Sequence, residues 1–144
     1  AITNTNLSGY PSSGIYLASS STYGTASLLN NVISGVASYG YASPIYNGNG
    51  INVTSGAGYS IYNNTVVMNS NQTATSGLPA AIYISTTLTS AIDLRNNIFD
   101  NRQTIGTNRY AIYSDVANSV FSNIENNGAP WQFSPSDRAL WTKT

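Results

Sequence analysis

The sequence predicts an all-β solenoid, a parallel β-helix, and three observations carry that prediction. The composition disfavours helix, an Asn-Asn motif recurs every 33 residues, and a short strand-like motif recurs out of phase with it. A unit of this length with two or three short strands cannot bury a core alone, but it can when it is stacked on its neighbours. A β-sandwich or β-barrel is the main alternative.

The composition supports strands over helix and over disorder. Asn, Ser and Thr make up 55 of the 144 residues, only ten residues are charged, and all ten lie from Asp93 onward. Glu, Lys, Gln and Arg, which favour helix, are scarce. Eleven Tyr and many Ile and Val argue against a disordered chain. Short runs such as residues 14–17 and 81–84 therefore indicate strands bounded by turns.

The same composition excludes several functions. The chain has no Cys and no His, so disulfides, Cys or His metal sites and catalysis by Ser-His-Asp or Cys-His pairs are impossible. No basic stripe could neutralise phosphates, which argues against nucleic acid as a partner. No apolar run approaches the ~20 residues of a transmembrane helix. We expect no cofactor, no metal site and no transmembrane segment.

The Asn-Asn motif keeps a constant local pattern. An apolar residue stands two positions before each pair, and another stands three positions after its first Asn. Asn tolerates the left-handed backbone that a sharp bend requires, and stacked Asn amides can bond to one another from coil to coil. The motif therefore predicts a structural ladder at the bends, formed by Asn30, Asn31, Asn63, Asn64, Asn96 and Asn97.

The strand-like motif consists of Gly or Ala, then Ile, then Tyr or Asn, and its Ile recurs after 36, 31 and 30 residues. This alternation is typical of a strand with one buried face. We expect about four coils of roughly 30–33 residues joined by long loops rich in Gly, Ser, Thr and Asn. The predicted core contains two aliphatic stacks, which are Ile15, Ile51, Ile82 and Ile112, and Leu28, Ile61 and Leu94.

The residue after each Ile predicts an outward column of Tyr16, Tyr83 and Tyr113, interrupted by Asn52. Tyrosine rings over a flat parallel sheet could stack on sugar faces or anchor a protein partner. The alternative is that these rings pack beneath neighbouring loops. The column is the candidate site for a carbohydrate or protein partner.

Other repeat folds share the period but not the composition. Ankyrin and tetratricopeptide units have a similar length, but they need helix formers that this chain lacks. Leucine-rich repeats also use Asn ladders, but their spaced-Leu signature does not occur here.

The charged residues are the candidates for chemistry. A polysaccharide lyase or glycosidase would need paired carboxylates, or a carboxylate-bound Ca²⁺ with an Arg or Lys base. Asp93 and Arg95 share one strand face, Asp100 and Arg102 repeat that spacing, and stacking could bring Asp115 near them. The remaining candidates are Glu125, Asp137 and Arg138. The simpler interpretation is a group of solvated surface ion pairs, so we assign no catalytic residue.

Several segments together resemble a known repeat family. These segments are Gly-Ile-Tyr-Leu-Ala-Ser at 14–19, Leu-Leu-Asn-Asn-Val-Ile-Ser-Gly at 28–35, and the stretches 60–69, 94–101 and 110–123. They resemble the right-handed parallel β-helix repeats of very large bacterial surface proteins that are exported by type IX secretion. The resemblance covers roughly residues 10–127. It implies a right-handed, extracellular repeat array at the bacterial cell surface, with adhesive or filament-like roles and no defined enzyme.

The repeat pattern stops near residue 127, which divides the chain into repeats over 1–127 and a tail over 128–144. The tail contains Trp131, Phe133 and Trp141. We expect these rings to cover the open end of the solenoid, because exposed strand edges are an aggregation hazard. Docking of the tail on the next subunit is the alternative.

These inferences lead to an expected function. It is a non-catalytic extracellular solenoid, structural or adhesive, that forms a segment or subunit of a bacterial surface protein or filament. The expected partners are other copies or a longer parent chain, with surface glycans as a further candidate. The alternative is a carbohydrate-binding or carbohydrate-cleaving β-helix module. Ice binding is a third hypothesis that the sequence does not favour, because the Thr residues do not recur at a fixed repeat position.

Overall fold

The computed structural model describes residues 2–3, 11–20, 25–40, 46–85, 88–106 and 108–128. It is an all-β molecule in which parallel sheets stack as a β-solenoid of about three turns, with almost no helix. A short 3-10 helix forms at Asn118–Val120. The predicted fold class is confirmed. Each of the two larger sheets contains four stacked strands, and three complete turns of the chain lead from its first strand to its fourth.

Three parallel sheets run along the solenoid axis. In spatial order, the first sheet contains β2 (Ser12–Leu17), β6 (Gly48–Val53), β9 (Ala80–Ile84) and β12 (Tyr110–Ser114). The second contains β3 (Ala26–Leu29), β7 (Gly56–Tyr62), β10 (Leu88–Arg95) and β13 (Phe121–Glu125). The third contains β4 (Val32–Ser34), β8 (Thr65–Met68) and β11 (Ile98–Asn101). A separate pair joins β1 (Ile2–Thr3) to β5 (Val36–Ala37).

The strand register places equivalent residues of successive coils directly beside one another. In the first sheet the paired column is Ile15, Ile51, Ile82 and Ile112. In the second sheet it is Leu28, Ile61, Leu94 and Ile124. The sequence spacing within the first column varies from 30 to 36 residues. The loops therefore absorb differences in coil length while the strands keep their register.

The core lies between the three sheets. The third sheet contributes Ile33, Val66 and Phe99, which occupy one register position and belong to the same hydrophobic cluster as the two aliphatic columns. Members of the columns in the middle coils are fully buried, whereas those of the first and last coils are only partly buried. Among the described residues, a member of the first or last coil has a stacking neighbour on one side only.

Glycine in the strand-like motif meets a packing requirement. A Cβ added at Gly50 would lie 2.2 Å from Val66 Cγ1 and 2.6 Å from the Ala81 carbonyl oxygen. A Cβ at Gly14 would lie 2.5 Å from Ile33 Cγ2. The first sheet therefore approaches the side chains of the third sheet too closely at these positions for a larger residue.

The loops between the third and first sheets also bond from coil to coil. The Gly35 N–H donates to Asn69 Oδ1 at 2.8 Å. The Thr104 N–H donates to Asn71 Oδ1 at 2.7 Å, and Asn71 Nδ2 donates to Thr104 Oγ1 at 3.0 Å. These loops are thus an additional stacked layer of the solenoid, even though their lengths differ.

In the part of the chain that the structure describes, no helix is long and apolar enough to cross a bilayer. The predicted tail residues Trp131, Phe133 and Trp141 lie outside the described residues. The predicted boundary between repeats and tail at residue 128 stays a prediction.

The bends between the second and third sheets provide a test of backbone requirements. Asn63 is exposed and has φ +56°, a conformation that glycine adopts freely and β-branched residues avoid. We expect Asn63→Gly to change the free energy of unfolding by less than about 0.5 kcal/mol and Asn63→Val to lower it by about 1–2 kcal/mol. Urea denaturation followed by circular dichroism measures both, and equal stability of the two variants would contradict the strained bend.

Candidate functional site

The most regular polar feature of the molecule is the bend that follows each strand of the second sheet. The first Asn of each pair is in the left-handed region, with φ +57° at Asn30, +56° at Asn63 and +54° at Asn96. Asn126 takes the same position in the last coil with φ +52°. The bend needs a residue that tolerates this conformation, and Asn does so at lower cost than most others.

The second Asn of each pair forms a ladder along the axis. Asn31 Nδ2 donates to Asn64 Oδ1 at 2.9 Å, and Asn64 Nδ2 donates to Asn97 Oδ1 at 2.9 Å. Asn97 Nδ2 donates to Asn127 Oδ1 at 2.8 Å. Asn64 and Asn97 are each 1% exposed. The ladder is therefore a buried polar column whose members satisfy one another.

Each ladder amide also satisfies backbone groups. The Asn31 N–H donates to Asn64 Oδ1, and the Asn64 N–H donates to Asn97 Oδ1, both at 3.0 Å. Asn64 Nδ2 reaches the Leu28 carbonyl of the preceding coil at 2.9 Å. A polar backbone group buried without a partner is costly. The amide side chain therefore provides the hydrogen-bond partners that the backbone of the bend lacks.

The fourth pair of the ladder, Asn126 and Asn127, is absent from the sequence-based prediction. Its signal was available, because an apolar residue, Ile124, again stands two positions before the pair. The pair is followed by Gly128 and Ala rather than by an apolar strand residue, which hid the match. Gly128 nevertheless bridges to Ile98 as a strand of the third sheet would.

The tyrosine column is in register but is not uniformly exposed. Tyr16, Asn52, Tyr83 and Tyr113 pair in sequence along the first sheet. Tyr16 is 61% exposed, whereas Tyr83 is 3% and Asn52 is 2% exposed. All residues of β6 and β9 are buried, so both faces of the first sheet are covered in the middle coils. The expected outward column of tyrosine rings is thus exposed at Tyr16 and buried at Tyr83.

Tyr83 belongs to a small aromatic and acidic group. Its ring centroid lies 5.7 Å from that of Tyr113, which in turn contacts Tyr110 edge-on at 4.7 Å. The Tyr83 hydroxyl donates to Asp115 Oδ2 at 3.2 Å. Burial, together with the nearby Asp115 carboxylate, raises the pKa of Tyr83 to about 12. The phenol therefore stays neutral and acts as a hydrogen-bond donor within the packed structure.

A second polar group covers the outer face of the second sheet. Arg95 binds Asp93 through two hydrogen bonds, Nε to Oδ1 and Nη2 to Oδ2, both at 2.6 Å. The Tyr62 hydroxyl donates to Asp93 Oδ2 at 2.7 Å, and the Arg95 guanidinium carbon lies 5.7 Å from the Tyr62 ring centroid. The bonds from Arg95 and then Tyr62 hold the pKa of the Asp93 carboxyl below its usual value.

The last coil extends this group. The Asn123 amide satisfies both of its groups when its nitrogen donates to Glu125 Oε1 and its oxygen accepts from Arg95 Nη2, each at 2.8 Å. Arg95 and Glu125 occupy one register column, and Asp93 and Asn123 occupy another. The Asn123 amide therefore links Arg95 of one coil to Glu125 of the next.

The carboxylates of Asp93, Asp100 and Asp115 do not converge on one site. Asp93 lies on β10 in the second sheet, Asp100 lies on β11 in the third sheet, and Asp115 follows β12 in the first sheet. Asp100 is paired with Arg102. Among the described residues, no group of three acidic side chains is placed to hold a metal ion. Asp137 and Arg138 lie outside the described residues.

Comparison of the chain with protein-family models, with curated proteins and with solved structures found no match. The function is therefore inferred from the side-chain geometry described above.

The ladder provides a stability test. Asn64→Ala removes the amide that serves Asn31, Asn97 and the Leu28 carbonyl, so we expect the free energy of unfolding to fall by about 2–4 kcal/mol. Asn31→Ala is the matched control, because in the described residues its Oδ1 accepts no hydrogen bond and only its donors are lost. It should cost roughly half as much. Chemical denaturation measures both, and an Asn64→Ala cost below that of Asn31→Ala would contradict the ladder.

Tyr83 provides a test of pH dependence. Its folded pKa of about 12 lies above the ordinary value of 10.0, so the unfolded chain loses this proton first. The contribution of Tyr83 to stability is therefore intact below pH 10 and is lost as pH rises toward 12, with a slope of up to about 1.4 kcal/mol per pH unit. The free energy of unfolding of Tyr83→Phe should lack this pH-dependent contribution. Equal alkaline slopes for the two proteins in denaturant titrations would contradict the assignment.

Proposed function

We propose that this chain is a non-catalytic extracellular solenoid that forms a segment or subunit of a bacterial surface protein or filament. Its task is to provide length and to display side chains for adhesion or assembly. The observation that carries the proposal is the continuous coil-to-coil bonding, in which the Asn ladder, the strands and the loops all connect each coil to the next. Such a column is extended by repetition and has no privileged coil.

The state of the carboxylates supports a role without catalysis. A general acid or base must exchange a proton near the working pH, whereas the Asp93 carboxyl is held ionised by Arg95 and Tyr62. Asp100 and Asp115 belong to other sheets, so neither forms a pair with Asp93 across a common groove. The arrangement matches ion pairs that organise a surface.

The exposed side chains support a role in contact. Tyr16 is 61% and Val32 is 80% exposed, and both belong to the first coil. The first 92 residues contain no charged side chain, so contacts made there depend on apolar area and neutral hydrogen bonds. The alternative of a carbohydrate platform has less support, because the Tyr column that would stack on a sugar is buried at Tyr83.

The experiment combines localisation with an activity screen. Antibodies raised against the purified chain should label the outer surface or surface filaments of the source cells in immunogold electron microscopy. The purified chain should release no product from a panel of neutral and acidic polysaccharides analysed by mass spectrometry. Asp93→Asn serves as the control for turnover, and it should behave like the wild type.

Two outcomes would overturn the proposal. One is labelling confined to the cytoplasm of intact, sectioned cells. The other is polysaccharide cleavage by the wild type that disappears in Asp93→Asn, which would assign a catalytic role to that carboxylate.

A further inference from the structure

We infer that Tyr83 and Tyr113 form a covalent modification site, in which oxidation joins their two rings as dityrosine and ties β9 to β12. The oxidant is hydrogen peroxide activated by a peroxidase. The inference goes beyond the proposed function, because it follows from contacts inside the molecule and does not depend on what the solenoid binds.

The strand register brings the two rings together. Tyr83 and Tyr113 occupy equivalent positions on neighbouring parallel strands, so their side chains project from the same face of the first sheet. Their ring centroids are 5.7 Å apart, and the ring planes are tilted by 37°. The rings therefore lie side by side, which is the arrangement that a bond between the carbons next to the two hydroxyl groups requires.

A third ring adjoins the pair in a different geometry. Tyr110 contacts Tyr113 edge-on, with centroids 4.7 Å apart and planes at 68°. Such a contact directs the edge of one ring at the face of the other, so the carbons next to the hydroxyl groups do not meet. Tyr110 and Tyr113 are half-buried and Tyr83 is buried. An oxidant therefore takes an electron from the two half-buried rings, and the ring contacts carry the oxidation inward to Tyr83.

The structure also provides an acceptor for the proton that a phenol releases when it loses an electron. The Tyr83 hydroxyl donates to Asp115 Oδ2 at 3.2 Å. Asp115 directly follows β12, so the register that pairs the rings also places this carboxylate. Burial and the nearby Asp115 carboxylate raise the pKa of Tyr83 to about 12. The hydroxyl therefore keeps its proton until the electron is withdrawn, and Asp115 then receives it.

The reaction balances with one molecule of peroxide. Each ring loses one electron and one proton and becomes a tyrosyl radical. The two radicals combine through one new bond between the carbons next to the hydroxyl groups. The hydrogen on each of these carbons then moves to the oxygen of its ring, which restores both phenols. The two electrons and two protons released reduce hydrogen peroxide to two molecules of water.

This bond would give the solenoid a covalent link between coils. The sequence contains no Cys, so a disulfide cannot provide such a link. A bond between residues 83 and 113 closes a loop that spans one complete coil. A cross-link of this kind restricts the unfolded chain more than the folded one, so the modified protein should be more stable.

The test treats the dilute purified chain with a peroxidase and limiting hydrogen peroxide. Dityrosine fluorescence should appear with a yield per molecule that does not depend on protein concentration, because the bond forms within one chain. Tandem mass spectrometry of proteolytic fragments should find a linked fragment that contains residues 83 and 113. The midpoint of thermal unfolding should rise by roughly 5–10 °C relative to the untreated chain.

Three variants remove one ring hydroxyl each. Tyr83→Phe and Tyr113→Phe should both lose the linked fragment and the rise in thermal midpoint, because phenylalanine does not form the radical. Tyr110→Phe should keep the link between residues 83 and 113, since the edge-on ring does not take part in the bond. Thermal unfolding of the untreated variants verifies that each one folds. If Tyr83→Phe does not fold, Tyr113→Phe, at a half-buried position, decides alone.

Tyr62→Phe is the matched control on the second sheet. The Tyr62 hydroxyl also donates to a carboxylate, Asp93 Oδ2, at 2.7 Å. Its neighbours in the strand register are Leu29 and Arg95, neither of which is a tyrosine. This variant should therefore form the linked fragment with the yield of the wild type.

Three results would overturn the inference. They are the absence of a linked fragment with residues 83 and 113 in the oxidised wild type, a bond that instead joins residues 110 and 113, and a product that forms only between chains. A wild type that forms the link but is confined to the cytoplasm of its source cells would reject the proposed function and leave this modification site in place.

Discussion

The fold depends on the bends that follow the second sheet, where buried backbone groups find no hydrogen-bond partner within the bend and need one from a side chain. Each coil turns sharply through a left-handed residue, and the turn leaves backbone groups without partners inside the column. A second Asn in every coil pairs with its equivalents above and below, so that Asn64 serves groups in three successive coils. Chains of hydrogen bonds polarise one another in a low-dielectric interior. The bends, rather than any single strand, therefore determine the position of each coil.

The architecture could be predicted from the sequence because it depends on short-range periodicity. Ile51 and Ile61 belong to separate motifs with different spacings, and each motif indicates its own buried column without knowledge of the other. Asn126 was missed because the motif had been defined partly by the strand residues that follow it. A definition based on the residues that precede the pair, such as Ile124, would have included it.

The candidate sites were harder to predict because exposure and proximity depend on how the sheets and loops lie in space. Alternation along a strand places Tyr83 on the outer side of the first sheet, but it does not reveal that neighbouring side chains cover that side at the middle coils. Likewise, Asp93, Asp100 and Asp115 lie close in sequence, yet the bends between them assign each to a different sheet. Sequence proximity in a solenoid therefore does not imply spatial proximity.

The identical bends have a consequence for the gene. Because Asn31 and Asn64 occupy equivalent positions, recombination between the codons of two bends removes or adds one whole coil and rejoins like with like. The resulting chain keeps the interior amides of the ladder paired, since each newly adjacent coil presents the same acceptor and donors. Shifts of any other size would break the ladder. The ladder thus allows the length of such a protein to change during evolution in whole-coil steps.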